Sequence, residues 1–171
     1  MYDVFVVGGG PSGATAALDL VHSGHRVALL DREGRIKPCG GAIPPRLMQD
    51  FDIREDQLVA KVNTARMISP TGRHVDIPIE NGFVGMVDRK DFDPFLRERA
   101  AAAGADALTG TFLRIEREDG RTFVIYREQA TGEERRVRTQ LVRGADGARS
   151  TGGPAEVPGG DRVHYDLAYP D

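Results

Sequence analysis

A glycine-rich turn between an apolar run and a helical pattern constrains this sequence more than any other feature. Tyr2–Val7 is β-branched and aromatic with little alternation, which predicts a buried parallel strand. Gly8–Gly13 follows the pattern Gly-x-Gly-x-x-Gly, and Ser12–Ser23 has the apolar spacing of a helix that stops at Gly24. His25–Asp31 predicts a second buried strand, which completes a βαβ unit of about thirty residues.

Each glycine of the turn has a physical role if the turn holds a nucleotide. Gly8 permits the tight turn, Gly10 lets a pyrophosphate approach the backbone, and Gly13 lets the helix pack closely on the strand. The helix is predicted to begin at Ser12, where N–H groups and the helix dipole favour a phosphate, so Pro11 and Ser12 are candidate cofactor contacts. The alternative interpretation is a structural glycine turn that binds nothing.

An acidic residue at the end of the second strand supports the nucleotide interpretation. Asp31 stands where a carboxylate accepts hydrogen bonds from ribose hydroxyls. The same carboxylate disfavours a 2′-phosphate, so the adenosine is expected to belong to FAD or NAD rather than NADP. Arg32, also a candidate cofactor contact, makes that exclusion imperfect.

Beyond the βαβ unit the chain departs from the alternating strands and helices of a plain NAD-binding domain. A short helix is predicted over 45–51, and the runs around Thr71-Gly72 predict a hairpin. Arg89–Ala103 is predicted to be a helix capped by Gly104. An antiparallel meander is then predicted from the runs 105–110, 111–119 and 121–128, from a run that begins at 134, and from the turn pairs Asp119-Gly120 and Thr131-Gly132.

Composition bounds the class of protein. The chain has 171 residues, 40% hydrophobic and 29% charged, with a formal net charge of −3, which is typical of a globular domain and gives no reason to expect nucleic acid. Arg135, Arg136 and Arg138 are interpreted as a solvated strand edge. The single cysteine, Cys39, excludes an intramolecular disulfide and fits a reducing compartment. No metal site is predicted.

Two later segments make the sequence resemble the FAD-binding domain of the p-hydroxybenzoate hydroxylase-like flavoproteins. VDRKDFDPFLRERAAAAGA (87–105) looks like that family's Arg-containing segment, which implies that Arg89 lies near the flavin or the pyrophosphate. GADGARS (144–150) looks like the family's Asp-Gly motif, which implies a place near the pyrophosphate for Asp146 and Gly147. The resemblance favours FAD over NAD. It implies an α/β, Rossmann-like domain with a parallel sheet, an antiparallel meander and a hairpin.

Within that group the sequence resembles the geranylgeranyl reductases of chlorophyll and bacteriochlorophyll synthesis. The resemblance is carried by GRIKPCGGAIPPRL (34–47), GMVDRKDFD (85–93) and GADGARS. In that family the first of these loops lies beside the isoalloxazine ring. Cys39 is the candidate catalytic residue, and it is interpreted either as a thiol poised near the substrate alkene or as a packing thiol. The residues implied to contact the flavin from this loop are Cys39, Gly40, Gly41 and Ala42.

The same resemblance implies an activity. It implies FAD-dependent reduction of C=C bonds in a geranylgeranyl chain, as the free diphosphate or on a pigment, with NADPH as electron donor. It also implies a cytoplasmic protein that meets its lipid substrate at the periphery of the photosynthetic membrane. Two alternatives stay open: an FAD-dependent monooxygenase of the same fold, and a non-catalytic or decayed FAD-binding fragment.

The predicted domain organisation follows from these motifs. Residues 1–150 are expected to form the FAD-binding domain, with the start of a substrate domain at about 60–88, and 151–171 to form an irregular, truncated tail. The family that the sequence resembles carries a later Gly-Asp motif and a longer substrate domain. The chain is therefore expected to be an N-terminal part with weak or no reductase activity of its own.

Overall fold

The computed structural model describes residues 1–32, 34, 36, 39, 41–80, 82–147 and 150. They divide into two compact units, one formed by the residues before 36 and after 92, the other by 36–92. The helices and strands, in chain order, are β1 (Tyr2–Val7), α1 (Pro11–His22), β2 (Val27–Asp31), β3 (Ala42–Ile43), α2 (Pro45–Asp50), β4 (Ala60–Val62), β5 (Thr64–Ile68), β6 (His74–Pro78), β7 (Val84–Met86), α3 (Arg89–Ala103), β8 (Asp106–Glu118), β9 (Arg121–Glu128) and β10 (Glu134–Gly144).

The first unit is built on a five-stranded sheet that closes on itself in the order β1-β10-β9-β8-β2. Strand β1 pairs in parallel with β2 and β10, and β2 pairs in parallel with the start of β8. Strand β9 is antiparallel to both β8 and β10. Val7 is in register with Leu30 and Gly144, so three parallel strands end at the same edge. The predicted βαβ unit, parallel sheet and meander are confirmed.

Strand β1 is buried on both faces, which explains why its sequence hardly alternates. Because successive side chains of a strand point to opposite faces, Val4 and Val6 lie on the face opposite Phe5. Helix α1 packs on this unit's strands β1 and β2 and buries Ala14 and Ala17. The cluster on the other face consists of Phe5, Val7, Ala28, Leu30, Val124 and Tyr126.

The predicted runs 105–110 and 111–119 are not two separate strands, because β8 continues through Gly110 as one strand. A Cβ at Gly110 would lie 2.4 Å from the carbonyl oxygen of Arg127. The glycine therefore permits close approach of β9 rather than a turn, and the chain continues as one long strand. A register shift between Phe112 and Arg114 marks a bulge, the irregularity that lets such a strand bend.

Of the basic cluster on β10, Arg136 and Arg138 are exposed, as the sequence predicted, and Arg135 is half-buried. Arg136 donates from Nε to Oε2 of Glu116 at 3.2 Å, and its guanidinium lies 3.5 Å from the centre of the Phe123 ring. Hydrogen bonds from Arg114 and then from Arg136 hold the pKa of Glu116 below its ordinary value. Arg114 and Arg136 are exposed and Glu116 is half-buried, so the pairs organise the surface of the meander and add little stability.

The second unit contains a three-stranded sheet, β3-β7-β4, and the ribbon β5-β6. The ribbon confirms the hairpin predicted around Thr71-Gly72, where Gly72 has a φ of +78°. Arg66 and Asp76 form a two-pronged ion pair, from Nε at 2.6 Å and from Nη2 at 2.7 Å. The large apolar side chains that are exposed on this ribbon are Met67, Ile68, Val75 and Ile77.

In the part of the chain that the structure describes, no helix is long and apolar enough to cross a membrane.

A matched pair of leucines tests this account of the first unit. Leu30 on β2 is 1% exposed and Leu141 on β10 is 56% exposed. We expect Leu30→Ala to lower the free energy of unfolding by about 2–5 kcal/mol, because it empties a packed position of the core cluster. Leu141→Ala should change it by no more than about 0.5 kcal/mol. Urea unfolding followed by circular dichroism measures both, and equal losses would contradict the assignment of the core.

Candidate nucleotide-binding site

The glycine turn lies at the edge where β1, β2 and β10 end. The amide of Gly8 donates to the carbonyl oxygen of Leu30 at 2.8 Å, and the amide of Ala145 donates to that of Val7 at 2.7 Å. The turn is thereby tied to β2, and the segment that follows β10 is tied to β1. In α/β folds with open sheets and in those with closed barrels, ligands bind outside the carboxyl ends of the parallel strands, so this edge is the expected place for a ligand.

Two glycines of the turn stand where no side chain fits. Gly8 has a φ of +103°, and a Cβ there would lie 2.4 Å from the carbonyl oxygen of Ala145. A Cβ at Gly13 would lie 1.8 Å from the carbonyl oxygen of Gly8. Both obstacles are backbone atoms, which cannot swing aside as a side chain can. The close packing predicted for Gly13 is therefore visible in the structure. Gly8 is packed closely as well, against the backbone of Ala145 in the segment after β10.

The start of α1 has backbone amides with no acceptor among the described residues. Gly10 is the N-cap residue, with φ −71° and ψ −178°, and Pro11 follows at the start of the helix. Among the described residues no side chain caps this end, and the amide of Ala14 donates to the carbonyl oxygen of Gly10 at 2.9 Å. The amides of Ser12 and Gly13 precede that bond and have no acceptor within the helix. Such an end fits the pyrophosphate of a dinucleotide.

Asp31 is the last residue of β2 and stands beside the turn, as predicted. Its Oδ2 accepts a hydrogen bond at 3.1 Å from Nη1 of Arg97, which also donates to the carbonyl oxygen of Gly9 at 3.2 Å. Sequence reasoning missed Arg97. The sequence signal was helical spacing, because Arg97 lies four residues after Asp93 and three before Ala100, on one face of the predicted helix. The structure buries both Asp93 and Ala100. Arg32, next to Asp31, is exposed.

The predicted Asp-Gly motif meets the glycine turn at one cavity of about 740 Å³. Ser12 lines it from α1, and Asp146 and Gly147 line it from the segment after β10. Much of the remaining wall is apolar and comes from β8 and β10, with Phe112 and Leu141 as examples. The volume is in the range of small-molecule sites, which combine apolar walls with a few polar groups. Ser12 of the glycine turn and the Asp146-Gly147 pair thus line one cavity within the first unit, whereas among the described residues Asp31 and the glycines of the turn do not line it.

The other predicted site residues belong to the second unit. Gly40 lies outside the described residues. Cys39 is exposed, which does not support its interpretation as a packing thiol. Gly41 has a φ of +70°, and a Cβ there would lie 2.0 Å from the carbonyl oxygen of Val87. Gly41 is therefore needed for close backbone approach within its own unit. The cofactor roles predicted for Cys39, Gly40, Gly41, Ala42 and Arg89 remain predictions.

Comparison with known proteins agrees with this geometry. The model of the FAD binding domain family matches residues 1–157. Over 149 residues the chain is 68% identical to a geranylgeranyl diphosphate reductase of Rhodobacter capsulatus, a match that covers 87% of this chain and 38% of that protein. The chloroplastic geranylgeranyl diphosphate reductase of Oryza sativa is 37% identical, with 97% of this chain and 38% of that protein covered.

A solved structure agrees as well. The geranylgeranyl bacteriochlorophyll reductase-like protein of Thermoplasma acidophilum superimposes with a TM-score of 0.83 at 29% identity, over 93% of this chain and 43% of that one. The chain thus spans less than half the length of each of these three proteins.

The steric argument for Gly13 gives a direct test. We expect Gly13→Ala to weaken FAD binding at least tenfold and to cost about 1–3 kcal/mol of stability, because its methyl group would overlap the carbonyl of Gly8. Gly82→Ala is the matched control, since a Cβ there would meet only a side-chain atom of Pro45, at 3.4 Å. Flavin fluorescence and thermal melting report the two quantities. Wild-type affinity in Gly13→Ala would contradict the proposed geometry.

Proposed function

Because the chain belongs to the family of FAD-binding domains, we propose that it binds FAD and serves the reduction of C=C bonds in a geranylgeranyl chain. The observation that carries the cofactor assignment is the steric fit of the turn, in which Gly8 and Gly13 have no room for a side chain. The substrate class is supported by the 68% identity to a protein named geranylgeranyl diphosphate reductase.

In this proposal, different residues of the first unit bind different parts of the cofactor. The amides of Ser12 and Gly13 bind the pyrophosphate at the start of α1, and Asp31 accepts hydrogen bonds from the ribose of the adenosine. Asp146 and Gly147 contact the cofactor from the segment after β10. Bound FAD would supply the hydride chemistry that reduces a C=C bond.

The finer parts of the proposal concern the pathway, the electron donor and the second unit. Formation of the phytyl chain of chlorophyll or bacteriochlorophyll is supported by the words chloroplastic and bacteriochlorophyll in the names of two of the similar proteins. NADPH as the donor, work at the membrane periphery and a catalytic role for Cys39 are parts of the same proposal. Arg89, Gly40, Gly41 and Ala42 are its remaining cofactor contacts.

Binding and turnover are tested on this chain beside the longer Rhodobacter capsulatus reductase. We expect both proteins to bind FAD, because the turn and Asp31 lie within this chain. With NADPH and geranylgeranyl diphosphate, we expect the longer protein to form a product with two added hydrogens per reduced bond. This chain should form less of it, because it spans 38% of that protein.

Mass spectrometry of the product separates the outcomes. Addition of oxygen instead of hydrogen would favour a monooxygenase. Binding of FAD by this chain with no product from either protein would favour a non-catalytic module, and absence of FAD binding would overturn the proposal.

A further inference from the structure

Arg97 connects two segments that the sequence pattern assigns to the nucleotide. Its Nη1 donates both to Oδ2 of Asp31 and to the carbonyl oxygen of Gly9, at 3.1 Å and 3.2 Å. The side chains of Arg97 and Asp31 are 29% and 32% exposed, so the ion pair is only partly open to water. One guanidinium nitrogen therefore joins the end of β2 to the glycine turn.

The residue at position 9 leaves room for the contact between Arg97 and the turn. The pattern Gly-x-Gly leaves its middle position open to any residue, yet here it is also glycine. A Cβ at Gly9 would lie 2.7 Å from Cδ of Arg97 and 2.8 Å from Cβ of Asp31. A larger residue would have to push one of these side chains aside. Gly9, Asp31 and Arg97 thus form one packed group, which we call the Asp31 clamp.

We propose that Arg97 is a positioning residue for recognition of the ribose. It holds Asp31 through Oδ2, so that Oδ1 accepts the hydrogen bonds of the ribose hydroxyls. This inference rests on the proposed adenosine site. An aspartate at the end of a strand has several rotamers, and fixing one of them when the ligand binds costs conformational entropy. A charge-assisted hydrogen bond from Arg97 fixes the rotamer before the ligand arrives.

The clamp acts on one part of the ligand. Arg97 has only donors, so it cannot replace Asp31 as the acceptor of a hydroxyl proton. Its loss should therefore lower the contribution of the ribose hydroxyls to affinity. A general loosening of the turn would instead weaken all nucleotides alike. A ligand without these hydroxyls distinguishes the two roles.

The test compares ADP with 2′,3′-dideoxyadenosine 5′-diphosphate on the full chain by isothermal titration calorimetry. We expect the wild type to prefer ADP by roughly tenfold, the usual contribution of hydrogen bonds to a charged acceptor. Arg97→Met should reduce this preference to about twofold or less, and Arg97→Gln should do the same. Arg121→Met, the same change at an exposed arginine that begins β9, should keep the wild-type preference.

Each outcome decides a different question. A wild-type preference in Arg97→Met overturns the positioning role, even if affinity for both ligands falls, and Arg97→Gln is read in the same way if the methionine variant does not fold. A wild type that binds FAD but does not prefer ADP over the dideoxy compound overturns the role and leaves the proposed function intact. A wild type that binds neither FAD nor ADP overturns both proposals.

Discussion

The steric demand of Gly8 and Gly13 underlies the first unit and its site. The missing Cβ of Gly13 would lie 1.8 Å from the carbonyl of Gly8, and that of Gly8 would lie 2.4 Å from the carbonyl of Ala145. Three backbone segments thus meet where side chains are excluded: the end of β1, the start of α1 and the segment after β10. This contact lets α1 begin close to the end of β1, and Ser12 at its start lines the cavity.

Elements with local signals could be predicted closely from the sequence. Strand Tyr2–Val7 and helix Arg89–Ala103 have the predicted bounds, because each is a run of consistent spacing that a glycine or an aspartate interrupts. Helix α1 begins at Pro11, one residue before the predicted start at Ser12, since a proline suits the first position of a helix. Strand β8 could not be predicted in one piece. The reason for Gly110 is a backbone oxygen of Arg127 on the neighbouring strand, and no local pattern shows it.

The residues of the candidate site also fall into two groups, those that a local sequence pattern predicts and those that only the fold brings together. The glycines of the turn and Asp31 follow a pattern of fixed spacing, so sequence reasoning found them. Arg97 lies on a different element, and its partners Gly9 and Asp31 are 88 and 66 residues away along the chain. Arg97 lies on the buried stripe of α3, where an apolar residue is usual, but only the fold shows that the carboxylate it meets is that of Asp31. The apolar wall of the cavity depends in turn on how β8 and β10 curve.

The Asp31 clamp also bears on the electron donor. Arg97 is committed to Asp31 and to the turn, so its charge is already balanced by the carboxylate that a 2′-phosphate would have to approach. The remaining oxygen of Asp31 is an acceptor, and a 2′-phosphate, which is largely dianionic at neutral pH, repels it. A carboxylate at this place favours the ribose hydroxyls of FAD over the 2′-phosphate of NADPH, and the exposed Arg32 next to it weakens that preference. If NADPH delivers the electrons, its 2′-phosphate would gain less beside Asp31 than the ribose of FAD would, which favours separate places for the two adenosines.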